Sequence, residues 1–457
     1  MRGFSNQSTR KDARITRLVV AGQMTLNSLL LLVGAWLAWS GSRRALFVAA
    51  LVPLVFMPFS YARLRLHRLL ATHLSPPAIW MCAVAGLCFD SIMVAQLLTA
   101  RQPSEVSILH VEGVTWIGAV WFSAHALLVL GYAIAGLVRL VGRPFGGWVS
   151  RVWSPPLYGD EVLIGRRELL AKAGLFGAAL PFGISLSGIP LSYDFRVEQR
   201  EIVLPLWPPA LDGLRVVHLS DIHVGGSMDR PRLLQVAELA NGCRPDLVLH
   251  TGDFLTHRSG EFDAPLYEAL ARIRAPHGQW ASFGNHDFDD PQRLERQLRE
   301  CGVIVLRDRV TVLTLRGQPL EIAGTDFQFG RSERATTYAR IIGGWGLRGG
   351  APRILLNHDP TAFDALPAGC ADLVLSGHTH GGHIGVQLNS SYAVTLVGLA
   401  GFPDQGLFAR DEMRLFVTRC VGFYGYPMRI GIPPEIALLI LRSAQAVGRR
   451  PTRARSI

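Results

Sequence analysis

Five apolar runs in the second half of the chain each end abruptly in side chains able to ligate a metal ion. They are Leu214 to Leu219 followed by Ser-Asp221-Ile-His223, Leu247 to Leu249 followed by His-Thr-Gly-Asp253, and Trp280 to Phe283 followed by Gly-Asn285-His286-Asp287. The remaining two are Ile354 to Leu356, leading into Asn-His358-Asp359, and Leu373 to Leu375, leading into Ser-Gly-His378-Thr-His380. Carboxylates, an amide carbonyl and neutral imidazoles, with no thiolate among them, suit Mn, Fe or Zn and exclude iron–sulfur and soft-metal chemistry. Two divalent cations close together need an anionic bridge, which Asp253 in its Gly-Asp turn can supply, and a hydroxide shared by two cations is a strong nucleophile at neutral pH. A nearby imidazolium can then protonate a leaving alkoxide. Asp287 can orient that imidazole or cap the helix that follows.

Singly, Asp-x-His, Gly-Asp or a histidine after a strand is a weak signal; Gly-His-Thr-His and Gly-Asn-His-Asp are stronger, because imidazoles so close together on glycine-started turns are hard to justify by packing. Short apolar runs alternating with helical patterns from Pro190 onward predict an α/β domain, and strand ends that converge on one crevice would gather the five loops into one site. His250 and His257 flank Asp253; the first reads as a strand-packed histidine and the second as a solvated one, so neither is included.

The five motifs taken in order resemble the calcineurin-like metallophosphoesterase superfamily over residues 190 to 442. Leu219-Ser-Asp-Ile-His-Val-Gly225, Gly377-His-Thr-His-Gly-Gly382 and Pro433-Pro-Glu-Ile436 are similar to its membrane-associated YkuE-type branch. The resemblance implies a four-layer αββα sandwich and a metal-dependent hydrolase of phosphate esters. It implies that Asp221, His223 and His380 hold one metal, that Asp253 bridges, that Asn285, His358 and His378 hold the second, and that His286 is the general acid. Thr256 stands where many members have Asp, and His383 where the branch often has Gln, so contacts to substrate are expected to differ.

The elements that must carry this site sit behind an apolar N-terminal half. The chain has 457 residues, 49% hydrophobic and 18% charged, which points to a membrane portion. Apolar stretches at Leu18 to Trp39, Ala45 to Ala62, Ala78 to Ala100 and Val114 to Val138 predict about four spanning helices in residues 1–164. Residues 165–189 form a fifth candidate span or anchor, and its start, Gly165-Arg166-Arg167-Glu168-Leu169-Leu170-Ala171-Lys172, resembles a twin-arginine export signal with Gly before the arginines and Leu where Phe is common. Arg and Lys crowd the loops expected inside, so five spans place the following domain on the far side of the membrane, with the export machinery as a partner; four spans leave it cytoplasmic. Residues 443–457 read as a basic disordered tail.

The formal net charge of +11 belongs to the N-terminal half and this tail. That distribution points to contact with membrane lipid and gives no indication of nucleic acid. The six cysteines include no CxxC pair and predict neither a zinc knuckle nor a disulfide framework. Two alternatives to a general phosphate-ester hydrolase follow. One is hydrolysis of a lipid-linked pyrophosphate; the other is a sensor or transport module with a regulatory phosphoesterase domain, for which Asp90 is the charged residue well inside an expected span.

Overall fold

The computed structural model describes residues 112–152, 160–225, 228–256, 263–346, 349–389, 392–424, 428–448 and 455–456. The chain divides into two units, Met1–Ser187 and Gly188–Ile457. In the first, helix α1 (Glu112–Val152) contains the apolar stretch Ala119–Val138, 20 residues long with mean hydropathy 1.7. It coincides with the fourth expected span, and among the described residues it is the one helix long and apolar enough to cross a membrane. Helix α2 (Asp160–Leu191) covers the fifth candidate, but its apolar part runs only from Phe176 to Leu191. The charged sequence between Arg166 and Lys172 continues into it without a break, which leaves it short of the ~20 residues a span requires. The first three expected spans, and Asp90, lie outside the described residues.

The second unit is the α/β domain. Its elements in chain order are β1 (Arg196–Leu204), β2 (Leu214–Leu219), α3 (Arg230–Gly242), β3 (Leu247–His250), α4 (Ala264–Arg272), β4 (Gln279–Ala281), α5 (Pro291–Glu300) and β5 (Val303–Val305). Then follow β6 (Arg309–Leu315), β7 (Gln318–Gly324), α6 (Arg334–Gly343), β8 (Arg353–Leu356), β9 (Leu373–Ser376), β10 (Gly385–Asn389), β11 (Tyr392–Thr395) and α7 (Leu396–Leu399). The last are β12 (Gly406–Arg410), β13 (Met413–Val417), β14 (Glu435–Ser443), α8 (Ala444–Val447) and β15 (Arg455–Ser456).

One sheet has the order β1-β14-β2-β3-β4-β5, the other β15-β12-β13-β9-β8-β7-β6, and β10 and β11 form a separate hairpin. β2 to β5 run parallel and are connected through α3, α4 and α5; β7, β8, β9 and β13 also run parallel. Strands such as Leu247-Val-Leu and Ile354-Leu-Leu are apolar throughout because both their faces are covered.

Alternate residues of those strands enter different cores. Leu247, Leu249, Leu214 and Val216 meet Ile354, Leu356, Leu373 and Leu375 between the sheets, where each fully buried aliphatic side chain contributes about 1.5–3 kcal/mol. Val217, Leu219 and Val248 pack outward against Leu233, Leu266, Leu270 and Leu298 of α3, α4 and α5, while Leu355 and Val374 pack outward against Tyr338 and Ile342 of α6. The layers are therefore helix, sheet, sheet, helix, in keeping with the expected sandwich.

The tail departs from expectation. β14 continues through Ser443 into α8, and Arg455–Ser456 add an edge strand to β12, with the Arg455 guanidinium 3.0 Å from the Asp404 carboxylate. A strand edge and a buried carboxylate thus hold Arg455, which composition alone reads as solvated.

Candidate metal centre

Loops after β2, β3 and β4 of one sheet, and after β8 and β9 of the other, meet at one end of the sandwich. Asp221, His223, Asp253, His378 and His380 all adopt left-handed backbone conformations, with φ between 50° and 67°. For an L-residue each costs roughly 1–2 kcal/mol, so surrounding bonds must enforce it. The Asp221 amide donates to the Gly252 carbonyl at 2.9 Å and the His223 amide to the Asp253 carbonyl at 3.0 Å, which stitches the first two loops together. Gly284 and Gly377 permit close approach: a Cβ on Gly284 would collide with the Asp253 carboxylate, and one on Gly377 with Asp221 and Ser220.

The two acids divide their oxygens in the same way. Asp221 Oδ2 accepts from the Ser220 hydroxyl, the His378 amide (2.9 Å) and the Cys420 thiol (3.1 Å), leaving Oδ1 3.3 Å from His380 Nε2 and 3.8 Å from His223 Nε2. Asp253 Oδ1 accepts from the His286 amide at 2.8 Å, leaving Oδ2 3.3 Å from His358 Nε2 and 3.5 Å from His223 Nε2. Two groups result, Asp221 with His223 and His380, and Asp253 with His358 and His378, in each of which the ligand atoms lie within 4.8 Å of one another. Asn285 lines the same cleft of about 340 Å³.

Several buried atoms here have no hydrogen-bond partner: Asp221 Oδ1, both ring nitrogens of His223 and the Asn285 carbonyl oxygen. Buried polar groups are almost always satisfied, so this set fits ions bound among them. The imidazoles are also prepared. Nδ1 of His358 lies 2.6 Å from the Thr251 carbonyl and Nδ1 of His380 lies 3.1 Å from that of Gly422. A carbonyl only accepts, so the proton is on Nδ1 and Nε2 faces the acids.

Burial lowers the pKa of His378 and His380, keeping both neutral. For His358 burial acts the same way, but Asp253 and Asp221 outweigh it and push its pKa up to about 10. Burial would raise Asp221 and Asp253, yet the histidines around them, His358 foremost, hold both ionised. The cluster thus retains positive charge as a proton on His358, which an arriving divalent cation would displace.

His286 stands at the cleft wall, its ring 4.2 Å from that of Tyr424 and its Nδ1 3.1 Å from the Thr256 carbonyl. Asp287 neither orients it nor caps α5. Its carboxylate accepts from the backbone amides of Asp253 (2.7 Å), Phe254 (2.9 Å) and Gly284 (2.9 Å), and Asp290 caps the helix instead. Burial and the neighbouring Asp253 push its pKa up to about 7, against those amide donors, which favour the ionised form. The geometry makes Asp287 a brace between the second and third loops, because the chain turns back at Gly284 and directs the carboxylate beneath Asp253. His250 is buried on β3 beside Gln279, as its strand position suggests, and His257 lies outside the described residues.

Residue order in the sequence marks His383 by its departure from the branch pattern but gives no sign of Tyr424 or Arg429. Tyr424 stacks on His223, with ring centroids 5.2 Å apart, and His383 packs 4.8 Å from His380. Arg429 is fully buried and donates to the carbonyls of His380, Arg419, Cys420 and Gly422, fixing the loop that supports His380. Glu435, inside the Pro-Pro-Glu-Ile run, is buried against Arg200 and accepts from the Arg419 amide. Its place in the Pro433-Pro-Glu-Ile436 run, just where an apolar strand begins, is the sequence signal that marks it.

With this geometry established, residues 214–382 match the model of the calcineurin-like phosphoesterase family. The chain is 29% identical to the uncharacterized metallophosphoesterase YkuE of Bacillus subtilis over 61% of this chain and 98% of that protein. It is 30% identical to the transmembrane protein with metallophosphoesterase domain of Danio rerio, over 60% of this chain and 61% of that one. It is 26% identical to the UDP-2,3-diacylglucosamine pyrophosphatase LpxG of Chlamydia muridarum, over 50% and 84% respectively. Residues 214–382 are therefore a calcineurin-like phosphoesterase domain, and these similarities mark the protein as a hydrolase of phosphate esters.

Proposed function

We propose that the protein is a membrane-anchored phosphoesterase with a dinuclear centre. Asp221, His223 and His380 would hold one divalent ion and Asn285, His358 and His378 the other, with the Asp253 carboxylate available to both. The observation that carries the reading is the pair of three-residue groups gathered at one cleft, in the first of which Asp221 Oδ1 and both ring nitrogens of His223 are buried without a hydrogen-bond partner. The ligand types suit Mn, Fe or Zn. When bound, the ions supply a water nucleophile at neutral pH and neutralise phosphate charge.

The chain's own residues do the rest. His286 delivers a proton from Nε2 to the leaving oxygen. Burial lowers its pKa, and the phosphate's negative charge in the cleft offsets that shift. Thr256 holds the ring by its carbonyl, and Asp287 keeps Asp253 and Gly284 in register. Arg331, at the exposed edge of the cleft, is placed to receive a phosphate oxygen. Substituting Asp253→Asn or His378→Ala in the purified full chain is expected to lower turnover of model phosphate esters with added manganese by at least about 10³-fold. Undiminished turnover would remove the proposal.

A lipid-linked pyrophosphate as substrate is the second reading, favoured by the similarity to LpxG and by the apolar helix Ala119–Val138. The charge distribution and the arginine pair at Arg166 and Arg167 further support a multi-span anchor, with the domain exported to the extracytoplasmic side by the twin-arginine route.

A further inference from the structure

The hairpin β10–β11 inverts the usual alternation of a surface sheet. Val386 pairs across the strands with Val394, and residues two apart share a face, so Val386, Leu388, Tyr392, Val394 and Leu396 line one side. That side is the exposed one. Val386, Leu388 and Leu396 are 61%, 58% and 60% accessible, whereas Ala393 and Thr395, on the opposite face, are buried. Leu399 and Phe402 extend the apolar surface, and no Lys, Arg, Asp or Glu occurs between Ile384 and Pro403. Exposed apolar patches of this kind mark interaction surfaces.

Three further observations select the occupant. The hairpin is held firmly at its base, where Thr395 donates to Asp404, which also pairs with Arg455, and where the Gly385 amide donates to the Ile430 carbonyl at 3.0 Å. It is continuous with the reactive cleft, since Val397 and Phe402 line that cleft together with the metal ligands. It is also packed from beneath, since Gly188, the first residue of this unit, lies against Met428, Arg429 and Ile430, and Ile430 bridges to Ile384. A face without Lys, Arg, Asp or Glu offers no charge to select a protein partner, and with Tyr392 as its amphipathic member it suits the hydrocarbon boundary of a bilayer.

We propose that the face formed by Val386, Leu388, Tyr392, Val394, Leu396 and Leu399 docks on a lipid bilayer and brings the metal cleft to phosphate esters carried by lipid head groups. This rests on the phosphoesterase reading for its chemistry and on the hairpin alone for its docking.

The test uses the full chain reconstituted in phospholipid vesicles. Leu388→Gln with Leu399→Gln is expected to lower hydrolysis of a vesicle-borne phosphatidyl ester about tenfold while leaving a water-soluble phosphodiester within about twofold. Tyr392→Trp is expected to add fluorescence that lipids brominated in their acyl chains quench relative to unbrominated ones. Loss of both ester activities together in the double variant, no change in either, or unquenched Trp fluorescence would overturn the docking. So would a wild-type dimer in detergent that the double variant converts to monomer, because a second copy would then be the occupant. Quenching without hydrolysis of any ester would leave the docking intact and remove the phosphoesterase reading instead.

Discussion

Asp221 and Asp253 each commit one oxygen to protein donors and leave the other facing imidazoles, so ligand orientation is set before any ion arrives. Around them the residue roles separate by reach. His286 faces the cleft, whereas Asp287, next to it in sequence, points the other way into backbone amides. Arg331 contributes a cation at the rim, beyond the buried ligands. Arg331→Ala is expected to raise KM for phosphate esters about 10- to 100-fold while changing kcat less than about threefold, since it removes a charge-assisted contact made to substrate and transition state alike. Steady-state kinetics at saturating manganese checks this, and a fall in kcat with KM unchanged would assign Arg331 another role.

The elements place these residues by ending where they do. β2, β3, β8 and β9 stop one to three residues before a ligand, and the left-handed turns that follow cost conformational energy that the inter-loop amide bonds offset. The same strands bury two histidines that bind no metal in this reading. Burial lowers His218 to about 3 and His250 to about 4, so both are neutral in the folded chain. Unfolding restores an ordinary pKa near 6.5, so the unfolded chain takes up protons first. Stability is therefore complete above about pH 6.5 and falls as pH drops from there toward about 4, by up to about 1.4 kcal/mol per pH unit for each group. Thermal midpoints of the full chain at pH 7 and pH 5 are expected to fall less in His250→Gln than in the unmodified chain; an equal fall would show that His250 does not contribute.

For the molecule as a whole, the proposed topology, argued from the basic loops and the arginine pair, has the catalytic unit outside the cytoplasm and can be tested by its compartment. A C-terminal alkaline phosphatase fusion is expected to be active and the corresponding fluorescent-protein fusion dark, with the pattern reversed if four helices span. Replacing Arg166 and Arg167 together with lysine is expected to abolish the phosphatase signal if export uses the twin-arginine route; a signal that persists would argue against that route.

The sequence by itself determined the ligand types, their order and the strand-then-turn context. Each strand had to be apolar to be buried on both faces, and each turn had to carry its polar group at the strand end. It also marked Val114 to Val138 as a long apolar stretch, and the apolar helix segment Ala119–Val138 lies within it. Only the tertiary structure decided what those groups face. Asp287 braces backbone, Arg429 and Glu435 support the His380 loop from afar in the chain, and Tyr424 closes over His223. The hairpin's inversion was equally hidden, because alternation shows that one face is apolar but not whether that face turns toward the core or toward solvent. Local sequence sets the period of an element; the packing of distant elements sets its direction.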